Sequence, residues 1–285
     1  MIIRIDSNGR KGQGCLVFVF IIILINFLKC CNFDTNMVIY QYCKRKVCDF
    51  MNTAKKTIGI VGGMGPLATA DLFTKIVNMT AADCDSEHVH IIIDNFPQIP
   101  DRTAAILNGA ESPLPFLVQS AERLKQAGAD FLIIPCITSH YFMKDLITQT
   151  SIPFLNIIEE TAKYIKKQNF KKVILLATNG TRQSGVFDNI FKRYNIELSL
   201  PSDSVQTEVM SIIYDGIKAG VNNRDISVLN NEIERLTSEG AEAVILGCTE
   251  LPLAAKMYGI IGNLIDPTDI LARAAIKYAG YSIKE

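Results

Sequence analysis

The sequence predicts an α/β fold made of two similar halves, each a parallel sheet covered by helices on both faces. Three observations carry this. Short runs rich in Ile, Val and Leu alternate with amphipathic stretches of helical length from residue 57 onward. The runs are apolar without interruption, as strands buried on both faces must be, whereas a sheet with one wet face alternates. One helix–glycine–strand–cysteine unit also occurs twice, as "ERLKQAGADFLIIPC" (122–136) and "ERLTSEGAEAVILGC" (234–248). Glu, Arg, Leu, Gly, Ala, Ile and Cys match at one constant offset of 112 residues.

Taken in order, "TIGIV" (57–61) is the first strand, and it runs into the small-residue turn "GGMGPLA" (62–68), with Pro66 suited to the first turn of a helix. "VHIII" (89–93) is the next strand. A helix over 115–127 then leads to the strand "DFLIIP" (130–135). After a helix over 155–167 come "KVILLA" (172–177), a helix over 228–239 and "AVILG" (243–247). A second matched pair, "TIGIVGGMG" (57–65) and "VILLATNGT" (173–181), are both strands entering a small-residue turn before a helix. The expected architecture is therefore two Rossmann-like α/β/α domains with parallel sheets, related by pseudo-two-fold symmetry. Residues 51–153 plus 265–285 form the first half and 154–264 the second. Open α/β sheets bind ligands at the carboxyl ends of their strands. A pseudo-two-fold would bring Cys136 and Cys248, both at such ends, to opposite sides of one cleft between the halves.

Residues 1–50 are a different kind of sequence, an extension holding five of the eight cysteines and seven Lys/Arg against three Asp. Its centre, "CLVFVFIIILINFL" (15–28), follows Arg10 and Lys11 and suits a signal-peptide core better than a span of about 20 residues. No A-x-A-like cleavage site follows it. The preferred reading is that Met51 is the true start and the protein is cytoplasmic; the alternative is membrane anchoring or export through the extension. Formal net charge is zero, with 29 basic and 29 acidic residues, and no basic stripe with interleaved aromatics appears. Nucleic acid is thereby excluded as an expected partner, and a membrane enters only through the extension.

Cysteine after a strand can be a small hydrophobe, half a disulfide, a metal ligand or an acid/base group. Cys84, without a repeat partner and in an acidic patch, reads as a buried small residue rather than a catalyst. Cys136 and Cys248 differ, because each is followed by small polar residues at a helix start, where backbone N–H groups and the dipole favour thiolate. Two thiols on opposite faces of one carbon can remove a proton from one side and return one from the other, inverting the centre without a cofactor. One must be thiolate while the other stays protonated. No metal is expected: His88 and His90 share a strand face, but no Cys-x-x-Cys or His-rich spacing accompanies them. Gly63-x-Gly65-x-x-Ala68 formally fits a dinucleotide fingerprint, but no acidic residue stands at the end of a second strand about 20 residues on, so a tight turn is preferred. His140, four residues past Cys136, reads as a capping or contact residue rather than part of a Cys/His hydrolase. Glu250 reads as an orienting group or a salt-bridge partner.

The stretches "GIVGGMGPLATADLF" (59–73), "QIPDRTAAIL" (98–107), "PCITSHYF" (135–142), "LLATNGTRQSGVF" (175–187) and "GCTELPL" (247–253) resemble the aspartate/glutamate racemase superfamily, and more closely its aspartate racemase branch. The resemblance implies a cofactor-independent enzyme working as a homodimer on an acidic amino acid, with Cys136 and Cys248 as the two acid/base thiols. It implies that Arg102 and Lys218 hold the substrate's side-chain carboxylate, a task suited to a bidentate guanidinium. Thr138, Thr178, Thr181 and Thr249 would donate hydrogen bonds to the α-carboxylate, and Met64 would line the substrate site. A related Cys-dependent isomerase or decarboxylase of small carboxylic acids, or a non-catalytic amino-acid-binding protein, is the alternative. One departure stands out: the pattern's usual Pro-Cys-Asn-Thr here reads Pro135-Cys136-Ile137-Thr138, which removes two donors and an acceptor from the substrate's surroundings.

Overall fold

The computed structural model describes residues 55–284, so the apolar segment 15–28 and the readings made of residues 1–50 lie outside the described residues. Two parallel four-stranded sheets organise the described residues. The first contains β1 (Ile58–Gly62), β2 (Ile91–Asn95), β3 (Phe131–Ile133) and β4 (Phe154–Leu155); the second contains β5 (Lys172–Leu176), β6 (Glu197–Ser199), β7 (Ala243–Leu246) and β8 (Leu264–Ile265). Their orders, β2-β1-β3-β4 and β6-β5-β7-β8, are one pattern counted from each sheet's own first strand. The repeat legible in the sequence is thus a repeat of topology, as a pseudo-two-fold requires.

Side-chain alternation along the strands divides the interior into three cores. Ile58 and Ile60 of β1, Phe131 and Ile133 of β3, Val173 and Leu175 of β5, and Ala243 and Ile245 of β7 all join one central core. Their neighbours in sequence turn the other way: Val61 and Leu132 enter the outer core of the first sheet. Ile174, Leu176, Val244 and Leu246 enter that of the second. Both faces of the central strands β1, β3, β5 and β7 are therefore dry, which is why their runs are apolar almost throughout, whereas the edge strands β2 and β6 keep exposed positions.

Two helices contribute most of the helical side chains in the central core between the sheets. Ile157–Lys167 contributes Ile157, Ile158, Ala162 and Ile165, and Pro267–Tyr278 contributes Leu271, Ala272, Ala275 and Ile276. The two pack on each other. Each follows the last strand of its sheet and is opened by a side-chain cap: Asn156 accepts from the N–H groups of Ile158 and Glu159, and Asp266 from that of Thr268. The repeated glycines also do one job twice, since Gly128 (φ 99°) and Gly240 (φ 95°) both leave a helix in the left-handed region that favours glycine.

Candidate active site

Both sheets deliver a cysteine just past a central strand. From β3 the chain continues through Ile134 and Pro135 to Cys136 and then a 3₁₀ turn, Thr138–Phe142. From β7 it continues through Gly247 to Cys248, with Glu250 at the N-cap of the helix Leu251–Tyr258. Both thiols are free and buried, 7% and 8% exposed. They line one cleft together with Met64, Arg102, Thr138, Thr178, Lys218 and Thr249. Thr181, the remaining candidate, stands behind that lining. Its hydroxyl lies 2.9 Å from that of Thr138 and 3.2 Å from that of Thr178, and Thr138 and Thr178 are 3.0 Å apart. These three buried hydroxyls join the loop after β3 to the loop after β5. The approach is close enough that a Cβ on Gly180 would meet Thr103 Oγ1 at 2.7 Å and Thr138 Cγ2 at 3.0 Å.

The two thiols have different electrostatic surroundings. Cys248 donates its S–H to Glu250 Oε2 at 2.9 Å, and the Thr249 hydroxyl donates to the same oxygen at 3.1 Å. Burial, and after it the Glu250 carboxylate, pushes the Cys248 thiol well above the ordinary range. The helix start was expected to favour thiolate at both cysteines; at Cys248 burial and a neighbouring carboxylate outweigh it. Cys136 instead neighbours a cation. Burial opposes the Arg102 charge, yet the guanidinium titrates above its usual range because the Cys136 sulfur lies beside it. Arg102 Nη1 donates to the carbonyls of Ile99 and Pro100 at 3.2 and 3.0 Å, and its Nε is buried with no hydrogen-bond partner among the described residues.

Lys218 reaches the cleft from the end of a single π turn, Ile212–Ile217, in which the Lys218 N–H donates to the Ile213 carbonyl at 3.1 Å. Such turns are rare and occur disproportionately at functional sites. Lys218 Nζ lies 4.0 Å from Glu250 Oε1 and 4.2 Å from the centre of the Tyr214 ring. Burial works against its charge, but Glu250 and then Tyr214 raise its pKa above the lysine range. Tyr214, whose hydroxyl donates to Asp101 Oδ2 at 3.4 Å, also lines the cleft, with Asp101, Thr103, Ile137 and Glu250. Sequence reasoning passed over Asp101, Thr103 and Tyr214. The available signal was the spacing of Tyr214 four residues before Lys218, which on any helix puts the two side chains on one face.

Other sequence features sit elsewhere or do other work. Gly63 donates its N–H to Thr69 Oγ1 at 2.9 Å, so this amide of the glycine turn is held by the helix that follows. Cys84 is exposed, not buried as expected, because it caps a short surface 3₁₀ turn, Asp85–Glu87, and its Sγ lies 3.2 Å from Ser86 Oγ. His140 is buried against the Cys136 backbone, its Nδ1 lying 3.1 Å from the Cys136 carbonyl oxygen. Among the described residues no group of three or more His, Cys, Asp and Glu is arranged to hold a metal ion. Nor is any helix among them long and apolar enough to cross a membrane.

The profile of a family described as Asp/Glu/Hydantoin racemase matches residues 61–275. The broad specificity amino-acid racemase RacX of Bacillus subtilis is 27% identical over 229 residues, covering 79% of this chain and 99% of that protein. Among solved structures, an aspartate racemase from Picrophilus torridus superposes with a TM-score of 0.68 at 35% identity, covering 80% of this chain and 96% of the other. An aspartate racemase homologue from Pyrococcus horikoshii gives 0.65 at 27% identity, with 79% and 99% covered. A glutamate racemase from Francisella tularensis, 19% identical with a TM-score of 0.58 over 79% of this chain and 81% of the other, shares the fold.

Proposed function

The chain belongs to the Asp/Glu/hydantoin racemase family and is an amino-acid racemase, an isomerase; from that premise we propose that it inverts the α-carbon of an acidic amino acid, aspartate or glutamate, by two-base proton transfer between Cys136 and Cys248, without a cofactor. The observation that carries this reading is the shared cleft: two buried free thiols line it together with two cations. In one direction the Cα–H bond breaks as an S–H bond forms at Cys136, while the Cys248 S–H breaks and a new Cα–H bond forms on the opposite face. The reverse direction exchanges the roles. The asymmetry of the site supports a starting state in which Cys248 holds the proton, since Glu250 accepts from its thiol. A thiolate at Cys136 would have the Arg102 guanidinium beside it.

Arg102 and Lys218 take the distal carboxylate in this proposal, and the hydroxyls of Thr138, Thr178 and Thr249 stabilise charge developing on the α-carboxylate, with Thr181 holding Thr138 and Thr178 from behind. Glu250 orients Lys218 and the Cys248 proton. A broader substrate range is the second reading. Ile137 on the cleft lining favours it, because an apolar group there selects less strictly than an amide, and the relative from Bacillus subtilis is named for broad specificity. A homodimer and a cytoplasmic location belong to the same proposal. The exposed Leu67 and Phe73 on the helix Pro66–Met79 offer apolar surface for self-association, which sedimentation velocity tests.

The decisive measurement is deuterium uptake at the α-carbon of L- and D-aspartate and glutamate in D₂O, with Cys136→Ser and Cys248→Ser beside the parent. Inversion with solvent exchange in the parent, and its loss in both variants by about 10³-fold or more, is expected. Inversion that survives either substitution refutes the two-thiol mechanism. Inversion confined to neutral amino acids refutes only the carboxylate role of Arg102 and Lys218.

A further inference from the structure

The two cysteines stand at matched positions of the repeat, but their backbone carbonyls are satisfied in different ways. After β7, the Cys248 carbonyl accepts the N–H of Leu251 at 3.0 Å, so the helix that follows supplies the donor. After β3, the Cys136 carbonyl accepts from side chains instead: the Ser139 hydroxyl at 2.6 Å and His140 Nδ1 at 3.1 Å. At the offset of the repeat, His140 corresponds to Pro252, which has no N–H and opens a helix. The first half thus uses an imidazole where the second half uses helix geometry.

The state of that imidazole follows from its surroundings. His140 is only 6% exposed, and Nε2 is buried with no hydrogen-bond partner among the described residues. A carbonyl oxygen accepts only, so the proton must sit on Nδ1 for that contact to be a hydrogen bond. Charging the ring would strand a second N–H in a dry site, and burial accordingly holds the pKa down to about 4. A neutral, fixed tautomer makes a poor acid or base but a dependable donor.

We propose that His140 is a positioning residue for Cys136: its neutral ring clamps the Cys136 carbonyl through Nδ1–H and, with Ser139, sets the direction in which the Cys136 sulfur enters the cleft. The inference rests on the reading of Cys136 as an acid/base group. Without the imidazole only the Ser139 hydroxyl holds that carbonyl, so the peptide between Cys136 and Ile137 can tilt and the sulfur leaves the line of the substrate's α-proton. Displacement of a reacting group by about 1 Å costs on the order of 10²-fold in rate, while ground-state binding is little changed.

The test compares H140L, which fills the space without a donor, with H140N, whose amide N–H₂ can take the place of Nδ1–H. H140L is expected to lower kcat by about 10- to 100-fold with KM within about threefold of the parent. H140N is expected to restore kcat to within about threefold, and S139A to give a smaller loss than H140L. If H140L does not fold, H140Q replaces it, since its amide sits one bond further out. A second readout is independent of turnover: the rate at which iodoacetamide labels Cys136 relative to Cys248, followed by mass spectrometry of the two peptides, is expected to change at least about fivefold in H140L and not in H140N. H140L with kcat and labelling ratio like the parent, or H140N as impaired as H140L, overturns the proposal. If the parent inverts no amino acid, the proposed reaction fails, and the labelling ratio alone decides the role of His140.

Discussion

Cys248 and Glu250, two residues apart, are joined by an S–H···Oε2 hydrogen bond of 2.9 Å, and the other carboxylate oxygen of Glu250 lies 4.0 Å from the Lys218 ammonium. One carboxylate therefore touches both a thiol and a cation of the cleft. Glu250→Gln keeps size and an accepting oxygen but removes the charge. The negative potential that holds the proton on Cys248 falls, so this thiol should be alkylated faster at pH 7 than in the parent. Lys218 loses its counter-charge, and racemisation is expected to fall by about 10²-fold. Parallel labelling and turnover assays check both signs; unchanged labelling would mean that burial alone sets the state of Cys248.

Ile137 lines the cleft yet also belongs to the central core at 2% exposure, so its replacement acts on two properties at once. Ile137→Asn buries an amide whose groups are not all satisfied, at a cost of about 1–3 kcal/mol in stability. It also offers the substrate new donors and an acceptor. The expected result is a lower Tm together with about tenfold better discrimination for aspartate over alanine, read as the ratio of kcat/KM values. Loss of stability without any change in that ratio would place the side chain out of the substrate's reach.

Much of this architecture was legible because burial on both faces leaves a plain trace in sequence. β1, β5 and β7 coincide closely with the apolar runs 57–61, 172–177 and 243–247. The edge strands β4, β6 and β8 were not legible: Phe154–Leu155 and Leu264–Ile265 are two residues each and Glu197–Ser199 three, too short to show a period. The cysteine pair was readable from its fixed offset. Tyr214, Asp101 and Thr103 were not, since their place in the cleft depends on a π turn and on the approach of the segment 101–103 from the other half. Neither leaves a periodic signal.

Lys75 ties the helix Pro66–Met79 to the start of the last helix. Its ammonium lies 2.7 Å from Asp71, 2.6 Å from Asp266 and 3.1 Å from Asp269, and it donates to Thr268 Oγ1 at 2.6 Å, with only 11% of its side chain exposed. Burial opposes its charge, but Asp266 and its neighbours raise the folded pKa above the usual lysine range. The raised value means that the contribution is complete below the unfolded lysine value of 10.5 and is lost as pH rises from there through the folded pKa. Lys75→Met leaves three carboxylates facing one another and should cost about 3–5 kcal/mol, seen as a lower urea midpoint with an unchanged slope. Lys75→Arg should recover most of it; if both variants match the parent, the cluster is only a solvated surface feature.

His140 gives the fold a pH dependence in the acid direction, with a sign fixed by its burial. Its pKa is 6.5 in the unfolded chain and about 4 in the folded one, burial being the largest cause and hydrogen bonds at Cys136 and Ile137 a partial offset. Below pH 6.5 the unfolded chain takes up a proton that the folded chain refuses. Stability is therefore full above that pH and declines as pH falls towards about 4, where the folded form also protonates. The difference in pKa corresponds to about 3 kcal/mol. Carboxylates titrate over part of the same window, so the measurement is the difference in unfolding free energy between the parent and H140N at pH 7 and again at pH 4. That difference is expected to move against the parent by about 3 kcal/mol on acidification. A constant difference would mean that the ring accepts a proton while folded, and a charged imidazole beside the Cys136 backbone is incompatible with a neutral clamp.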